Sequence, residues 1–332
     1  MKIELIPEGG KLYKVNLHCH TTISDGKQTP EEVKATYMAL GYSAVCYTDH
    51  EVLVDQSALC DEHFVALHGY EVAIKRELDK HTGYFMPVYH LNIIAKRQDN
   101  LTIPCYFKSN PSMAGNAGKL RDAMKYSSTI ETTVYDKAWI NEYVRQVSRE
   151  GFLVTYNHPQ WSLQSGADFL GLDALHAVEV INGGCAVALN DNTSIHYEQM
   201  LRYGMRVVPV GGDDNHGLNG VGLGWTMIKA PALTYDALIE GYEKGHCFAS
   251  EGPDFLSIVI EDGKIRVKTS PVFRISLLSE GRYARSADSK ECNLTEATFD
   301  YCPELFGRYF RFELRDAKGY RAYSNAYYPA EL

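Results

Sequence analysis

Short apolar runs recur along the chain, most of them closing on a polar residue, with stretches of helical period between them. The first is KVNLHCH (14–20), whose alternation predicts a strand. Thr29 then stands where a helix cap is needed, with Pro30 at the first helical position and Glu32 completing a capping box. Val33, Tyr37 and Leu40 share a face at spacings of four and three, and Gly41 ends the helix. Further strands are predicted at SAVCYTDH (43–50), HFVALHGYEV (63–72) and VYHLNIIA (88–95). A helix over about 136–149 precedes GFLVTYNHP (151–159). HAVEVING (176–183) follows, then a helix near 190–203, then MRVVPVGGDDNH (205–216). Strands alternating with helices predict an α/β protein. After about residue 252 the rhythm changes to short alternating strands, with a tight turn at Asp262–Gly263. The pattern predicts two domains, 1–253 and a small β-rich, sandwich-like unit over 254–332.

The strand ends carry the chemistry. His20, His50, Glu71, His158, Glu179 and Asp214 each sit where a predicted strand stops. In a (β/α) barrel those ends make one face, where active sites are built. An open doubly wound sheet would also place ligands at strand ends, mainly near a switch point. Within a strand, residues i and i+2 point the same way, so His18 and His20 face one site and Cys19 turns into packing. Asp214 and His216 repeat that spacing in GDDNH. Asp25 lies in a Ser-Asp-Gly loop and alone would read as a turn residue. His50 closes TDH, His90 lies in an apolar run, and His158 sits in NHP, where the proline stiffens the loop. Singly these are ordinary capping, turn or surface residues. Together, six histidines and three carboxylates at strand ends point to a metal cluster.

Composition narrows the partners. The chain has 332 residues, 45% hydrophobic and 23% charged, which suits one large domain or a large and a small one. A net charge of −9 argues against a broad nucleic-acid surface but allows a small positive site. There is no basic, aromatic-interleaved stretch near the candidate ligands, so nucleic acid is not the expected partner. No apolar run is long enough to span a membrane, and MKIELIPEGG reads as an ordinary N-terminus, so a cytoplasmic protein is expected. Eight scattered cysteines without a CxxC fit a reducing compartment. HGLNGVGLG (216–224) lacks the first-strand context of a dinucleotide fingerprint and reads as shaping the loop after GDDNH. Oligomeric state is open, with a symmetric homo-oligomer as the common default.

The ordered set HCHTTISDG (18–26), TDH (48–50), GYE (69–71), the histidine of YHLN at 90, NHP (157–159) and GDDNH (212–216) resembles the PHP-domain metallohydrolases, the polymerase and histidinol phosphatase family. GHCFASEGP and the ending RDAKGYRAYSNAYY resemble its CehA/McbA-like branch, which has a C-terminal β-domain. The resemblance implies a distorted (β/α)7 barrel and two or three divalent ions, Zn, Mn or Fe, held by nitrogen and oxygen donors. It assigns His18, His20, Glu71 and Asp214 to one ion. A second shares Glu71 and adds His90 and His158, and a third takes Asp25, His50 and His216. His81 is a rival to His90, which is preferred because it lies in an apolar strand-like run. The family usually has a small residue where Asp213 stands, so Asp213 is expected to support the site, and Asp214 is chosen by its spacing to His216.

Three divalent ions against three carboxylates would leave about three positive charges, which suits a small anionic substrate. The implied reaction is hydrolysis of a phosphorylated compound through a metal-bound hydroxide, releasing inorganic phosphate, with Glu71, Asp214 and His216 as catalytic residues. The same ligands would serve an ester, amide or carbamate hydrolase. A non-catalytic metal-stabilised binding module is the third reading, and the full set of nine ligand types argues against it. Glu179 is expected to accept a hydrogen bond from a ligating histidine. Lys27, Arg121 and Arg145 are candidate phosphate contacts, and Asn182 and Asn215 could orient substrate.

Overall fold

The computed structural model describes residues 2–75, 86–108, 115–188 and 192–332. The chain opens with β1 (Lys2–Ile6) and β2 (Lys11–Asn16). Helix α1 (Pro30–Ala39) starts as its sequence requires: the Thr29 hydroxyl accepts the Glu32 N–H and the Glu32 carboxylate accepts the Thr29 N–H. Its Val33 and Tyr37 are buried, whereas Leu40, expected on the same face, lies at the C-cap and is 47% exposed. Strands β3 (Ala44–Tyr47), β4 (Val65–Lys75) and β5 (Val88–Ala95) follow. A long excursion carries four two-residue strands, β6 (Thr102–Ile103), β7 (Tyr106–Phe107), β8 (Lys125–Tyr126) and β9 (Thr129–Ile130). Asp136 caps α2 (Lys137–Arg149), which buries Ile140, Tyr143, Val144 and Val147 at helical spacing.

Next come β10 (Phe152–Tyr156), α3 (Gly166–Phe169), β11 (Ala177–Asn182), α4 (Gly183–Val187), α5 (Ile195–Tyr203) and β12 (Val208–Gly212). They lead to β13 (Trp225–Ala230), α6 (Tyr235–Glu243) and β14 (Cys247–Ser250). The remainder is mostly strand: β15 (Phe255–Glu261), β16 (Lys264–Val272), β17 (Arg274–Ser279), β18 (Ala284–Asp288) and β19 (Leu294–Asp300). Short α7 (Pro303–Phe306), β20 (Phe310–Arg315) and β21 (Arg321–Ser324) complete it.

The fold is α/β with a mixed sheet, in the order β12-β11-β10-β5-β4-β3-β2-β13-β14-β21-β20-β17-β18. β2, β3 and β4 run parallel, but β5 is antiparallel to both β4 and β10. That reversal brings His90, near the start of β5, to the sheet end where its neighbours finish, with Glu71 opposite Asn92 and Ala73 opposite His90. The sheet is thus mixed, consistent with a barrel-like core. Among the described residues no ladder joins β12 to β2 or β13. The gap is bridged by single contacts: Gly211 N–H donates to the Thr226 hydroxyl at 3.0 Å, and Asp214 N–H donates to His18 O at 2.9 Å.

Beyond β14 the same sheet continues through β21, β20, β17 and β18, while β1 pairs with β15 in a separate four-stranded sheet, β1-β15-β16-β19. The turn between β15 and β16 has Asp262 at φ 49° and Gly263 at φ 72°, the two-residue left-handed form that the sequence predicts. All eight cysteines are free. Among the described residues no helix is long and apolar enough to cross a membrane.

Candidate metal centre

β2 ends at Asn16, but the chain stays extended through His20 because Cys19 bridges Asn215 and its N–H donates to Thr48 Oγ1 at 2.9 Å. The Cys19 side chain packs with Val33, Tyr37 and Val45. His18 and His20 point the other way, and their Nε2 atoms lie 3.2 Å apart. Asp49, one residue before His50, folds the next loop. Its carboxylate accepts the N–H groups of Thr21 (2.8 Å) and Ser24 (3.1 Å) and the hydroxyls of Thr21 (2.8 Å) and Ser24 (2.7 Å). That loop turns Asp25 back toward His50, which itself bridges Glu71.

At the end of β12 the two aspartates part. Asp213 faces the glycine-rich loop and accepts the N–H groups of Gly222 (2.7 Å), Leu223 (3.0 Å) and Gly224 (3.0 Å). Asp214 adopts φ 48° and sends its carboxylate among the histidines. Gly212 is needed here, since a Cβ would come within 2.7 Å of the His18 Cβ.

All nine predicted site residues meet at this sheet end. Glu71 is the hub: its carboxylate lies 3.0 Å from His90, 3.2 Å from His50, 3.3 Å from His18, 3.4 Å from His20 and 3.4 Å from His158. Asp214 lies 3.2 Å from His18 and 3.1 Å from His20, and Asp25 lies 3.4 Å from His216 and 3.8 Å from His50. Four overlapping sets have ligand atoms within 4.8 Å of one another. They are His20/Asp25/His50/His216, His18/His20/Asp214, His18/His158/Glu179 and Glu71/His90/His158. His18, His20 and His158 each enter two of them, a sharing that the resemblance alone does not imply. His81 lies outside the described residues.

The histidine tautomers are held from behind. The His18 Nδ1–H donates to Glu179 at 3.0 Å and the His216 Nδ1–H to the Asp214 carbonyl at 3.1 Å, leaving both Nε2 atoms for the centre. His158 Nδ1 pairs with the Ser162 hydroxyl at 3.1 Å. The second Glu179 oxygen accepts His158 N–H and Asn182 Nδ2–H, and Asn157 Nδ2–H donates to Glu71 at 2.7 Å. His20 Nδ1 is buried with no hydrogen-bond partner, an orphan that a cation would satisfy.

Electrostatics tell the same story. Burial disfavours protonation of His18, yet the Asp214, Glu71 and Glu179 carboxylates outweigh it and push its pKa well up. Burial is likewise overcome at His20, raised to about 10 by Asp214 and Glu71. His50 moves the other way, down to about 3, through burial and the neighbouring His20 charge. Glu71 and Asp214 are buried, which favours their neutral forms, but the histidines hold both well below the usual carboxylate range. Adjacent imidazoles pulled in opposite directions around buried carboxylates make a site built for divalent ions, and its nitrogen and oxygen donors fit them. Burial is graded: His18, His20 and Glu71 side chains are at most 1% exposed, Asp25 is 30% and His216 44% exposed.

Other expected contacts sort differently. Lys27 lines an open cleft of about 720 Å³ with Asp214, His216, Gly184 and Leu218. Arg121 instead packs on the Tyr106 ring in the excursion, and Arg145 pairs with Asp173 and Glu142 at the surface, so neither reaches the cluster. Asn215 accepts the Tyr37 hydroxyl at 2.7 Å, a structural duty, while Asn182 contacts both Glu179 and Asp214. Sequence reading missed Asp49, Asn157, Ser162 and Trp161. Asp49 and Asn157 each adjoin a ligand in sequence, the one signal that pointed to them.

The geometry defines a multinuclear metal-binding centre at one end of a mixed sheet. Residues 16–159 match the family model of the PHP domain. Asp214 and His216 join the centre from beyond that match. No curated protein matches the chain. Among solved structures, it is similar to a two-domain protein from Bacteroides vulgatus ATCC 8482 described as containing a predicted PHP-like metal-dependent phosphoesterase. Identity there is 13% over 98% of each chain, with a TM-score of 0.46. It is also similar to PsfC from Pseudomonas syringae PB-5123, at 15% identity over 70% of this chain and 88% of that one, with a TM-score of 0.40.

Proposed function

We propose that the chain is a cytoplasmic, metal-dependent phosphoesterase that hydrolyses a small phosphorylated compound. One observation carries the reading: five histidine nitrogens lie within 3.4 Å of the single buried Glu71 carboxylate. Burying that many titratable groups together is costly unless cations pair with them. His18, His20, Glu71 and Asp214 would hold one ion, Glu71 with His90 and His158 a second, and Asp25, His50 and His216 a third. When bound, such ions lower the pKa of water and neutralise phosphoryl oxygens.

The chain's own residues set the stage for this. Glu179, Ser162 and the Asp214 carbonyl fix imidazole orientation, and Asn157 steadies Glu71. Lys27 at the cleft supplies a cation for an anionic substrate. His216 is the most exposed member, and with Nδ1 committed to a carbonyl its Nε2 serves either the third ion or a proton for the leaving group, not both at once. The CehA/McbA-like affiliation, supported by the GHCFASEGP and RDAKGYRAYSNAYY stretches, and a domain boundary at 253/254 belong to the same proposal.

The test is metal content per chain together with a substrate screen: phosphate release from small phosphomonoesters and diesters, set against cleavage of aryl esters and carbamates. Phosphate release that disappears with the metal in Glu71→Ala supports the reading. A Glu71→Ala protein with full activity and unchanged metal would sink the site assignment, and turnover confined to esters or carbamates would move the chain to carbonyl chemistry.

A further inference from the structure

The residue after Gln160 in the NHP loop has no place in the mechanism above. Trp161 is 47% exposed, unusual for so large an apolar ring beside a buried cluster. Its position is nevertheless fixed. Ser162 N–H donates to His158 O, Leu163 N–H to Gln160 O and Gln164 N–H to Pro159 O, all at 3.1 Å. Leu163 takes φ 55° to close the turn. The same turn carries His158, so Trp161 is registered to the metal centre. Its ring centroid lies 5.0 Å from that of His158 and 5.4 Å from that of His90.

Trp161 walls a shallow hollow of about 30 Å³, open at its mouth, that also touches His158, Glu179, Cys185, Thr193 and His196. This is a different cleft from the one lined by Lys27 and His216. Short α4 stands between them, with Cys185 on one side and Gly184 and Val187 on the other. Lys27 therefore marks one flank of the cluster and Trp161 the flank of His90 and His158. A rigid, half-open indole with polar neighbours is a stacking surface for a planar ring.

We propose that Trp161 is a specificity-determining residue, a platform that receives an aromatic or heteroaromatic group of the substrate while its phosphoryl group lies at the metal cluster. The substrate class is an aryl or heteroaryl phosphate, and this rests on the phosphoesterase reading above. Stacking on an indole costs about tenfold or more in affinity when the indole is truncated.

The experiment compares phenyl phosphate with glycerol phosphate for the metal-loaded wild type, Trp161→Ala and Trp161→Phe, after checking metal content and far-UV circular dichroism. Trp161→Ala is expected to raise KM for phenyl phosphate about tenfold with kcat within threefold. It should leave glycerol phosphate unchanged, and Trp161→Phe should restore most of the loss. Equal changes for both substrates, or none, would overturn the platform. The second measurement is calorimetric binding of phenylphosphonate and methylphosphonate. If no phosphoester is turned over but phenylphosphonate binds more tightly than methylphosphonate only when Trp161 is present, the platform stands and the phosphoesterase reading falls. Equal binding of both by the wild type refutes the platform whatever the reaction.

Discussion

Glu179 shows how much of the site depends on residues that would not themselves hold an ion. One oxygen fixes His18 and the other receives the His158 N–H and Asn182. Glu179→Ala should lower metal affinity or turnover by about 10–100-fold, read by metal titration and by phosphate release, because the His18 imidazole loses its orientation and the backbone of His158 loses its anchor. The clustering of the nine candidate residues was legible in sequence because they stand at or just past strand ends and the i, i+2 spacing of His18 and His20 places both on one side of an extended backbone. Ser162 was not, since a serine in a polar loop has many uses and only the fold brings it to His158. Two further residues give a pH prediction away from the centre. Burial raises the Asp254 carboxyl to about 6 against the pull of Lys14, and burial pushes His176 down to about 4 despite its bond to the Tyr242 carbonyl. The folded state holds the Asp254 proton that the unfolded chain releases near pH 4, so stability falls as pH rises from about 4 to about 6. For His176 the folded state refuses a proton that the unfolded chain takes up below about 6.5, so stability falls as pH drops from about 6.5 to about 4. The two slopes oppose each other. Asp254→Asn should gain stability relative to wild type at pH 7 more than at pH 4, and His176→Gln should gain at pH 4 more than at pH 7. Urea unfolding at the two pH values checks both, with differences of up to ~3 kcal/mol.

At the scale of elements, the strands and the helices α1 and α2 fall close to where their patterns place them, because period and capping are local. The direction of β5 was not legible. VYHLNIIA reads the same whether it runs with β4 or against it, and only the paired register decides. The excursion between β5 and α2 and the side-chain closure between β12 and β13 are likewise long-range outcomes. The loops around the centre are elements too, each hung on one buried carboxylate. Asp49 gathers four donors from Thr21 and Ser24, and Asp213 gathers three backbone N–H groups of the glycine-rich loop. Asp49→Ala leaves several buried donors unpaired and should cost about 2–4 kcal/mol in urea unfolding. Because that loop carries Asp25, the variant should also lose the outermost ion first while retaining ions at Glu71. Equal loss of every ion would mean that Asp49 supports the whole centre rather than one loop.

At the scale of the molecule, the strand-rich character after residue 252 was legible, but the way those strands join the rest of the chain was not. β14 pairs with β21 through Phe248–Ser324, Ala249–Tyr323 and Ser250–Ala322, and Leu5, Ile6, Met227 and Phe248 share a core with the C-terminal strands. A fragment ending at residue 253 would bare that core and an unpaired strand edge, so it should aggregate where the full chain does not, by size-exclusion chromatography. The ions bear on the same whole. Their ligands come from β4 and β5 and from the chain beyond β2, β3, β10 and β12, so binding ties together strands far apart in sequence. An ion that binds only the folded chain adds about 4 kcal/mol of stability at a thousandfold excess over its Kd. Exhaustive chelation should therefore lower the melting temperature by several degrees, while the sheet, held by its own apolar cores, stays folded at 25 °C. Restoring ions stepwise should return the stability in stages. The Glu71 sets should fill first and the Asp25/His50/His216 set last, because Asp25 and His216 are 30% and 44% exposed and must compete with solvent. Calorimetric melting across a metal titration reads both the size and the order. An unchanged melting temperature after chelation, with the metal shown to be gone, would mean that the buried cluster is stable by protonation alone.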